Sequence, residues 1–445
     1  MQIKLTLVVL FILSFFILSN NLDKPFVGIH DHNGARFGNI AKNYIKFWGE
    51  SKFGPIEQKN IDGSFDYYTH YPSLLPLTIA GFYKIFGVSE FVTRLVPVIA
   101  SVLTISFLFL FSINLWGYKV ALFFTLFMIA TPMFRYFGKN PVHEILVGLF
   151  GVLTFYGISK LLIGDKSKRI YILIFIASIL SVLSGWGGYF VFPGVMYSLW
   201  KIKTNKKVFF AYITIMVFLY LGHFAYTKYL TESIWGGGLY EALLYRSSNL
   251  SQEFGVMEFI NRLRLWSTTL FTISLLACAS TIVFSFKGNR LKHKPILFFL
   301  LIFGGIYPLV FSNATYQHNY FIYNLLPVVS LCASLSIYAI SSYFKKEFLY
   351  PFICLIVVGA IYFERASFIS SLQSSNQDNL AKDAGQEINL KVGQNQTILV
   401  TPAQYLYSRH PFLHYYGERT FVSEGYSNWI LQVNDGKYTL TKNEY

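Results

Sequence analysis

Long apolar runs separated by short polar loops dominate the chain. A helix that crosses the hydrocarbon core of a bilayer needs about 20 apolar residues. Runs of about this length, several short enough to be tilted or paired, lie near residues 4–20, 91–115, 119–136, 142–163, 169–184, 186–200, 206–226, 266–286, 295–312, 321–342 and 349–364. The pattern predicts an all-α polytopic membrane protein with about eleven transmembrane helices.

Lysines and arginines are concentrated in the short loops on one side of the predicted membrane spans. The positive-inside rule makes that side cytoplasmic, so we expect a multi-pass plasma-membrane protein with its N-terminus inside and its C-terminus outside. The loop cations are Lys4, Lys119, Lys166, Lys168, Arg169, Lys201, Lys203, Lys206, Lys207, Lys287, Arg290, Lys292, Lys294, Lys345 and Lys346.

This orientation places three longer segments on the outer face: residues 21–90, 227–265 and 365–445. The cytoplasmic loops are all short, and they offer too little chain to build a nucleotide-sugar or ATP pocket. Any chemistry is therefore expected on the outer face. The run Gly236–Gly238 is expected to be a flexible point of the second segment.

The first outer segment contains a helical repeat. Phe37, Ile40, Ala41, Tyr44 and Trp48 share one face of a helix, and polar side chains occupy the opposite face. A second apolar repeat covers 75–86. Both stretches are predicted to be amphipathic helices that lie in the membrane interface.

The tail shows a different alternation, with helical patterns over 376–390 and 402–416 and a strand over 397–401. We expect residues 1–364 to form the transmembrane catalytic domain. Residues 365–445 are expected to form a small extracytoplasmic α/β cap.

Composition supports lipid as the main solvent. The chain of 445 residues is 54% hydrophobic and 13% charged, against about 25% charged in soluble domains. Its net charge of +15 lies in loops between apolar runs, which argues against a nucleic-acid-binding surface. Three cysteines lie inside apolar runs and form no metal or disulfide pattern.

Ionisable residues cluster at the outer ends of the predicted spans. Asp31 follows the first span, and there it is either a general base or the N-cap of the next helix. Glu144 begins a span, where it is either a functional acid or a helix N-terminal acid favoured by the helix dipole. The remaining candidates of this kind are His70, Arg135, Lys139, His143, His318 and Tyr320.

Several of these residues lie in segments that resemble glycosyltransferase family 39 of the GT-C superfamily. Asp31 precedes a helix that begins near Arg36, and YTHYPSLLPL at 68–77 stands where the family has H-P-P-L. The resemblance covers about residues 1–165, and more loosely 318–335. Its last well-matched stretch contains Gly87, Ser89, Glu90, Phe91, Arg94, Leu95 and Pro97.

The resemblance implies an inverting glycosyltransferase, similar to protein O-mannosyltransferases and aminoarabinose–lipid A transferases. Its donor would be a polyprenyl- or dolichyl-phosphate-linked sugar, and its acceptor a hydroxyl of a protein, lipid or glycan. Asp31 would be the general base, and Glu144 would orient the acceptor, pair with a cation or hold a divalent ion. Donor phosphate and sugar would contact Arg36, His70, Arg135, Lys139, His143, His318 and Tyr320.

Three other functions stay open at this point. One is a non-catalytic receptor or assembly subunit on the same fold, against which the presence of Asp31 argues. A transporter or flippase for lipid-linked glycans would share the apolar composition, but it would carry ionisable residues in the middle of several spans. A polymerase or ligase of surface glycans would differ mainly in its acceptor. No cofactor is certain; Asp31 and Glu144 are the residues that would hold a divalent metal ion, if one is used.

Overall fold

A computed structural model describes residues 1–233, 239–247, 254–282, 293–344, 346 and 348–443. The predicted flexible point Gly236–Gly238 lies outside these residues. So do four of the loop cations, which are Lys287, Arg290, Lys292 and Lys345.

Helices form most of the first half of the chain. They are α1 (Gln2–Leu18), α2 (His32–Lys46), α3 (Leu74–Phe86), α4 (Glu90–Trp116), α5 (Tyr118–Ala130), α6 (Pro132–Phe137), α7 (His143–Leu162), α8 (Lys168–Ser184), a 3-10 helix (Trp186–Val191), α9 (Phe192–Lys201) and α10 (Lys206–Thr231). A hairpin of two antiparallel strands, β1 (Ile56–Lys59) and β2 (Phe65–Tyr67), connects α2 to α3.

The second half is helical up to a terminal α/β unit. Its helices are α11 (Leu239–Ser247), α12 (Val256–Leu270), α13 (Ile273–Ser280), α14 (Lys294–Val310), α15 (Ser312–Gln317), a 3-10 helix (Asn319–Leu325), α16 (Leu326–Tyr343), α17 (Leu349–Glu364), α18 (Ala366–Ser374), α19 (Asn379–Lys391) and α20 (Ala403–Gly417). The strands of the terminal unit are β3 (Thr397–Thr401), β4 (Thr420–Val422), β5 (Trp429–Asn434) and β6 (Lys437–Lys442).

The predicted count of about eleven spans is not confirmed. Among the described residues, five helical segments are long and apolar enough to cross a membrane: Glu90–Trp116, His143–Leu162, Lys206–Thr231, Asn319–Tyr343 and Leu349–Lys391. A sixth is possible if α12 and α13, which bend by 107°, form one span. Four other apolar runs form helices of 13 to 17 residues, including α1 and α14. Apolar length alone therefore overestimates the number of full-length helices.

Helix α2 buries the apolar stripe predicted for it, since Phe37, Ile40, Ala41 and Tyr44 are at most 2% exposed. Its polar side is also covered, because α2 packs between α3 and α20. Asn39, for example, is buried and donates to the Glu57 carbonyl oxygen at 2.7 Å. Protein therefore contacts α2 on more than one face, and its predicted place in the membrane interface stays a prediction. Trp48, assigned to the stripe, lies beyond the helix end and is 48% exposed.

The tail has the helix–strand–helix order predicted for it. Its four strands lie in the order β4-β3-β5-β6, with β3 parallel to β4 and β5 and with β6 antiparallel to β5. Phe26 and Ala35, from the segment around the start of α2, are buried in the same core as Ile388 and Leu413 of the tail. The terminal unit therefore shares its core with the first segment. Its side of the membrane and its boundary at residue 365 stay predictions.

Close helix packing fixes the elements around the site. A β-carbon on Gly151 of α7 would lie 2.2 Å from the Phe303 ring of α14, and one on Gly304 would lie 2.1 Å from the Asn324 carbonyl oxygen. Small residues permit such close approach between helices. Glycine at these two positions therefore brings α7, α14 and the 3-10 helix Asn319–Leu325 together.

Candidate functional site

A cavity of about 540 Å³ lies where α2, α7, α11 and the 3-10 helix Asn319–Leu325 meet. We call it the Glu144 cavity. Glu144 is the carboxylate that lines it within the described part of the chain. Its other polar side chains are His30, His32, Asn33, Arg36, Tyr68, His70, Tyr71, His143, Tyr245, Arg246, His318 and Tyr320.

Glu144 lies in the first turn of α7 and is 3% exposed. The hydroxyl of Tyr307 donates to Glu144 Oε1 at 3.5 Å, and the Tyr71 and Tyr307 hydroxyl oxygens lie 3.1 Å apart. A buried carboxylate can accept about four hydrogen bonds. The side-chain hydrogen bond to Glu144 from Tyr307 is at the long end of the range. Glu144 therefore has capacity to accept from a group that enters the cavity.

His143 presents one ring nitrogen without a protein partner. Its Nδ1 lies 2.7 Å from the Ser184 carbonyl oxygen, so this nitrogen carries the proton and donates. The ring stacks on Tyr71 with centroids 4.3 Å apart. Within the described residues its buried Nε2 has no hydrogen-bond partner, so Nε2 can accept from a ligand hydroxyl.

Arg246, on α11, brings a positive charge to the cavity. Its Cζ lies 4.6 Å from the centre of the Tyr71 ring, and its Nη2 lies 3.4 Å from His70 Nδ1. Its buried Nη1 has no hydrogen-bond partner among the described residues. Tyr71 thus contacts both the cation and, through Tyr307, the carboxylate. No motif surrounds Arg246 in the sequence, and it was not predicted as a site residue.

Arg36, one of the predicted donor-binding residues, lines the cavity. Much of its charge is already compensated. Its Nε lies 3.0 Å from Glu57 Oε1, and its Nη2 donates to His410 Nε2 at 2.7 Å. Its guanidinium also lies 5.3 Å from the centre of the Tyr68 ring. Arg36 therefore contributes less free positive charge to the cavity than Arg246.

The cavity histidines are neutral near pH 7. Burial lowers the pKa of His70 to about 3, with Arg246 and Arg36 adding to the effect. Burial and the same two arginines lower the pKa of His318 to about 4. Each ring therefore acts as a hydrogen-bond donor and acceptor rather than as a cation. His318 also stacks on Tyr320, with ring centroids 5.3 Å apart.

Asp31 lies apart from this cavity. Its Oδ2 accepts from the backbone N–H groups of Gly28 at 2.7 Å and Val27 at 3.2 Å, and its Oδ1 pairs with Arg94 Nη2 at 2.9 Å. Asp31 is the N-cap residue of α2, although its side chain bonds to the preceding loop and makes no cap hydrogen bond. Both carboxylate oxygens are thus occupied by contacts that hold the loop after α1.

Lys139 and Arg135 also lie away from the Glu144 cavity. Lys139 lines a small pocket of about 30 Å³ together with Asp31 and Arg94, and it donates to the Asn20 carbonyl oxygen. Arg135 donates to the Tyr362 carbonyl oxygen at 2.7 Å and lies 3.9 Å from the centre of that ring. The structure therefore brings five of the seven predicted donor-binding residues together with Glu144 and leaves Arg135, Lys139 and Asp31 outside the cavity. The five are Arg36, His70, His143, His318 and Tyr320. His30, which was not predicted, lines the cavity beside them.

The two carboxylates predicted to hold any divalent metal do not line one cavity, since Asp31 lies in the small pocket and Glu144 in the large one. Within the described residues, no group of three or more His, Cys, Asp or Glu side chains could hold a metal ion. The donor set around Glu144 thus does not fit a protein-held divalent ion, and we derive no step through one.

Known proteins resemble this chain in fold over most of its length and in sequence over part of it. Residues 70–225 match the family model described as dolichyl-phosphate-mannose-protein mannosyltransferase. ArnT from Cupriavidus metallidurans, in a crystal structure bound to undecaprenyl phosphate, is 13% identical, with a TM-score of 0.67 over 95% of this chain and 85% of ArnT. This chain shares the fold of ArnT. The resemblance stated from the sequence is confirmed at this level.

A second GT-C protein is also similar. The oligosaccharyltransferase AglB from Archaeoglobus fulgidus, in complex with an inhibitory peptide and a dolichol-phosphate, is 11% identical, with a TM-score of 0.62. The match covers 94% of this chain and 64% of AglB. A search of curated proteins found no match. At these identities the structural likeness describes the fold alone.

Proposed function

We propose that this protein is an integral-membrane glycosyltransferase. It would move a hexose or pentose from a polyprenyl- or dolichyl-phosphate donor to an acceptor hydroxyl on the extracytoplasmic face. One observation carries the proposal: a single cavity presents a cation with a free donor, Arg246, and a carboxylate with free acceptor capacity, Glu144. Transfer of a sugar from a phosphate requires both kinds of group.

The leaving phosphate would bind on the Arg246 side of the cavity. Its negative charge grows as the bond to the sugar breaks, and a guanidinium with an unpartnered N–H is suited to stabilise it. His70, which contacts Arg246, would add a neutral donor. ArnT was crystallised with undecaprenyl phosphate, and the AglB structure is a complex with a dolichol-phosphate. Both observations support a donor of this class.

The acceptor proton would go to Glu144. The acceptor oxygen forms a bond to the anomeric carbon, the carbon–oxygen bond to the phosphate breaks, and the phosphate leaves with the electron pair. A base on the face opposite the leaving group produces inversion. We favour Glu144 over the predicted Asp31 because both Asp31 oxygens already bind Gly28, Val27 and Arg94.

The alternative functions predict different use of the same cavity. A flippase would carry the lipid-linked sugar across the bilayer without breaking a bond, so it would need a cation for the phosphate but no base for an acceptor hydroxyl. A polymerase or ligase would perform the same transfer to a growing glycan. The carboxylate–cation arrangement supports transfer over transport and does not separate the possible acceptors.

The test uses the full chain in proteoliposomes with a panel of radiolabelled polyprenyl-phosphate sugars and membrane acceptors. We expect one donor to be consumed and its sugar to appear on an acceptor hydroxyl with inverted anomeric configuration. Movement of intact donor between leaflets without bond cleavage would reject the transferase in favour of a flippase. Retention of configuration would reject direct displacement assisted by Glu144.

A further inference from the structure

A second cavity, of about 340 Å³, lies on a different face of α2. We call it the hairpin cleft, because its walls are α2, the β1–β2 hairpin and the terminal α/β unit. Arg36 lines the Glu144 cavity and Glu57 lines the hairpin cleft. Since these two side chains form an ion pair at 3.0 Å, only a thin wall separates the two spaces.

Direct hydrogen bonds join the cleft walls. The Thr420 hydroxyl donates to the Lys59 carbonyl oxygen at 2.8 Å, and the Phe421 backbone N–H donates to Gln58 Oε1 at 3.3 Å. These contacts attach the hairpin to β4, which is an edge strand of the terminal sheet. Direct contacts between the hairpin and the terminal sheet therefore define the cleft. The same contacts cover the β4 edge, at which an extended peptide would otherwise add a strand.

Several polar groups of the cleft have no protein partner. His414 is 7% exposed, and neither ring nitrogen makes a hydrogen bond within the described residues. The half-buried Asn43 Oδ1 likewise lacks one there, and the side-chain amides of Gln394 and Asn395, which also line the cleft, are exposed. Amides and a neutral imidazole each offer a donor or an acceptor to hydroxyl groups, so the free groups match a ligand rich in hydroxyls.

The cleft has an excess of positive charge. Glu57 pairs with Arg36, and Glu418 pairs with Lys42 at 2.6 Å. Lys59 pairs at 3.2 Å with Glu50, which does not line the cleft. Lys46 makes no carboxylate ion pair within the described part of the chain. Arg419 makes none there either, and its donors bond to carbonyl oxygens and the Asn389 side chain, which fixes the guanidinium in place. The lining cations are Lys42, Lys46, Lys59 and Arg419, and the lining carboxylates are Glu57 and Glu418.

We propose that the hairpin cleft binds a segment of an acidic glycan, with hydroxyls on the amides and His414 and a carboxylate near Lys46. If the protein is the transferase proposed above, this glycan is part of the acceptor, and the Arg36–Glu57 ion pair is the wall between it and the Glu144 cavity. The binding itself does not depend on that role. An acidic polypeptide fits less well, because the free groups are amides and imidazole and the β4 edge is occupied.

The experiment measures binding to the full chain in nanodiscs without any donor. The probe is a fluorescently labelled tetragalacturonate, and maltotetraose is the neutral control of equal length. We expect saturable binding of the acidic probe and at least about tenfold weaker binding of the neutral one. Lys46→Ala and Asn395→Ala should each weaken binding by about fivefold to tenfold, as loss of one polar contact does. Lys437→Ala, at an exposed lysine outside the cleft, should bind as wild type does.

Three results would overturn the proposal. The first is no saturable binding of tetragalacturonate, and the second is unchanged binding by Lys46→Ala and Asn395→Ala. The third is stronger competition by a short poly-glutamate peptide than by the tetrasaccharide, which would make the occupant a polypeptide. The binding assay contains no donor, so its result does not depend on transfer. A chain that binds the glycan here but transfers no sugar in the donor panel would reject the transferase and leave the cleft site standing.

Discussion

Two carboxylates of this chain each lie at the start of a helix, but their hydrogen-bonding surroundings differ. Asp31 follows the first helix and Glu144 begins α7. Asp31 accepts two backbone N–H bonds and an ion pair from Arg94, whereas Glu144 accepts one long bond from the Tyr307 hydroxyl. The comparison teaches that a carboxylate's free hydrogen-bonding capacity, rather than its place after a span, marks it as available for chemistry.

The same contrast separates two arginines. Arg94 donates to the carbonyl oxygens of Leu22 and Lys24 and to Asp31, so its donors are used to hold the loop. Arg246 leaves Nη1 without a partner in the described part of the chain. One carboxylate–arginine set is thus saturated, and the other is open to a ligand.

The largest effect is expected from Glu144→Gln, which keeps the shape of the side chain and removes the base. Transfer should fall by about 10²- to 10⁴-fold, because general-base catalysis contributes that much. The measurement is kcat for sugar transfer in proteoliposomes, with donor binding measured separately. Wild-type kcat in a folded Glu144→Gln variant would assign the base to another group.

Arg246→Ala should have the next largest effect. Loss of a charged hydrogen-bond partner for the leaving phosphate costs about 1.5–3 kcal/mol, so kcat/KM for the donor should fall by about 10- to 100-fold. Arg246→Lys should recover part of this loss, since it keeps the charge without the planar fork. An unchanged kcat/KM in Arg246→Ala would place the phosphate elsewhere.

Asp31→Asn should mainly reduce stability. The variant leaves the buried Arg94 guanidinium without its carboxylate, and breaking a buried ion pair in this way costs about 3–5 kcal/mol. Unfolding by denaturant in mixed micelles measures this loss, and kcat of the folded fraction should fall by less than about tenfold. A loss of kcat as large as that of Glu144→Gln, with stability intact, would make Asp31 the base rather than a structural residue.

The smallest effect on transfer is expected from Lys139→Met. Burial, with Arg94 adding to it, lowers the pKa of Lys139 from 10.5 to about 8. Between about pH 8 and 10.5 the unfolded chain binds this proton and the folded chain does not, so this group makes stability rise with pH across that window. Below pH 8 both states are protonated and the contribution is constant. Unfolding curves at pH 7.5 and 9.5 should differ less in Lys139→Met than in wild type.

Local pattern was enough to predict much of the fold. The strand Thr397–Thr401 and the helices around it follow from short-range alternation, and the stripe from Phe37 to Tyr44 follows from helical spacing. The number of full-length spans was not predictable in this way. Apolar runs also occur in short helices such as α5, which packs against α4, α16 and α17.

The site was predictable only in part. Glu144 and His143 could be found because ionisable side chains at a span end are unusual. Arg246 could not, since it depends on α11 meeting Tyr71 across 175 positions of sequence. The ion pair between Asp31 and Arg94 joins residues 63 positions apart. A local sequence pattern cannot predict such a contact.

Azide rescue tests the central claim most directly. Azide is a nucleophile that needs no deprotonation, so it can replace an acceptor whose general base has been removed. The measurement compares Glu144→Ala and Asp31→Ala, each reconstituted with the active donor, with and without sodium azide. We predict that azide restores donor consumption and yields an inverted glycosyl azide in Glu144→Ala only. Rescue of Asp31→Ala, with none in Glu144→Ala, would contradict the account and return the base to Asp31.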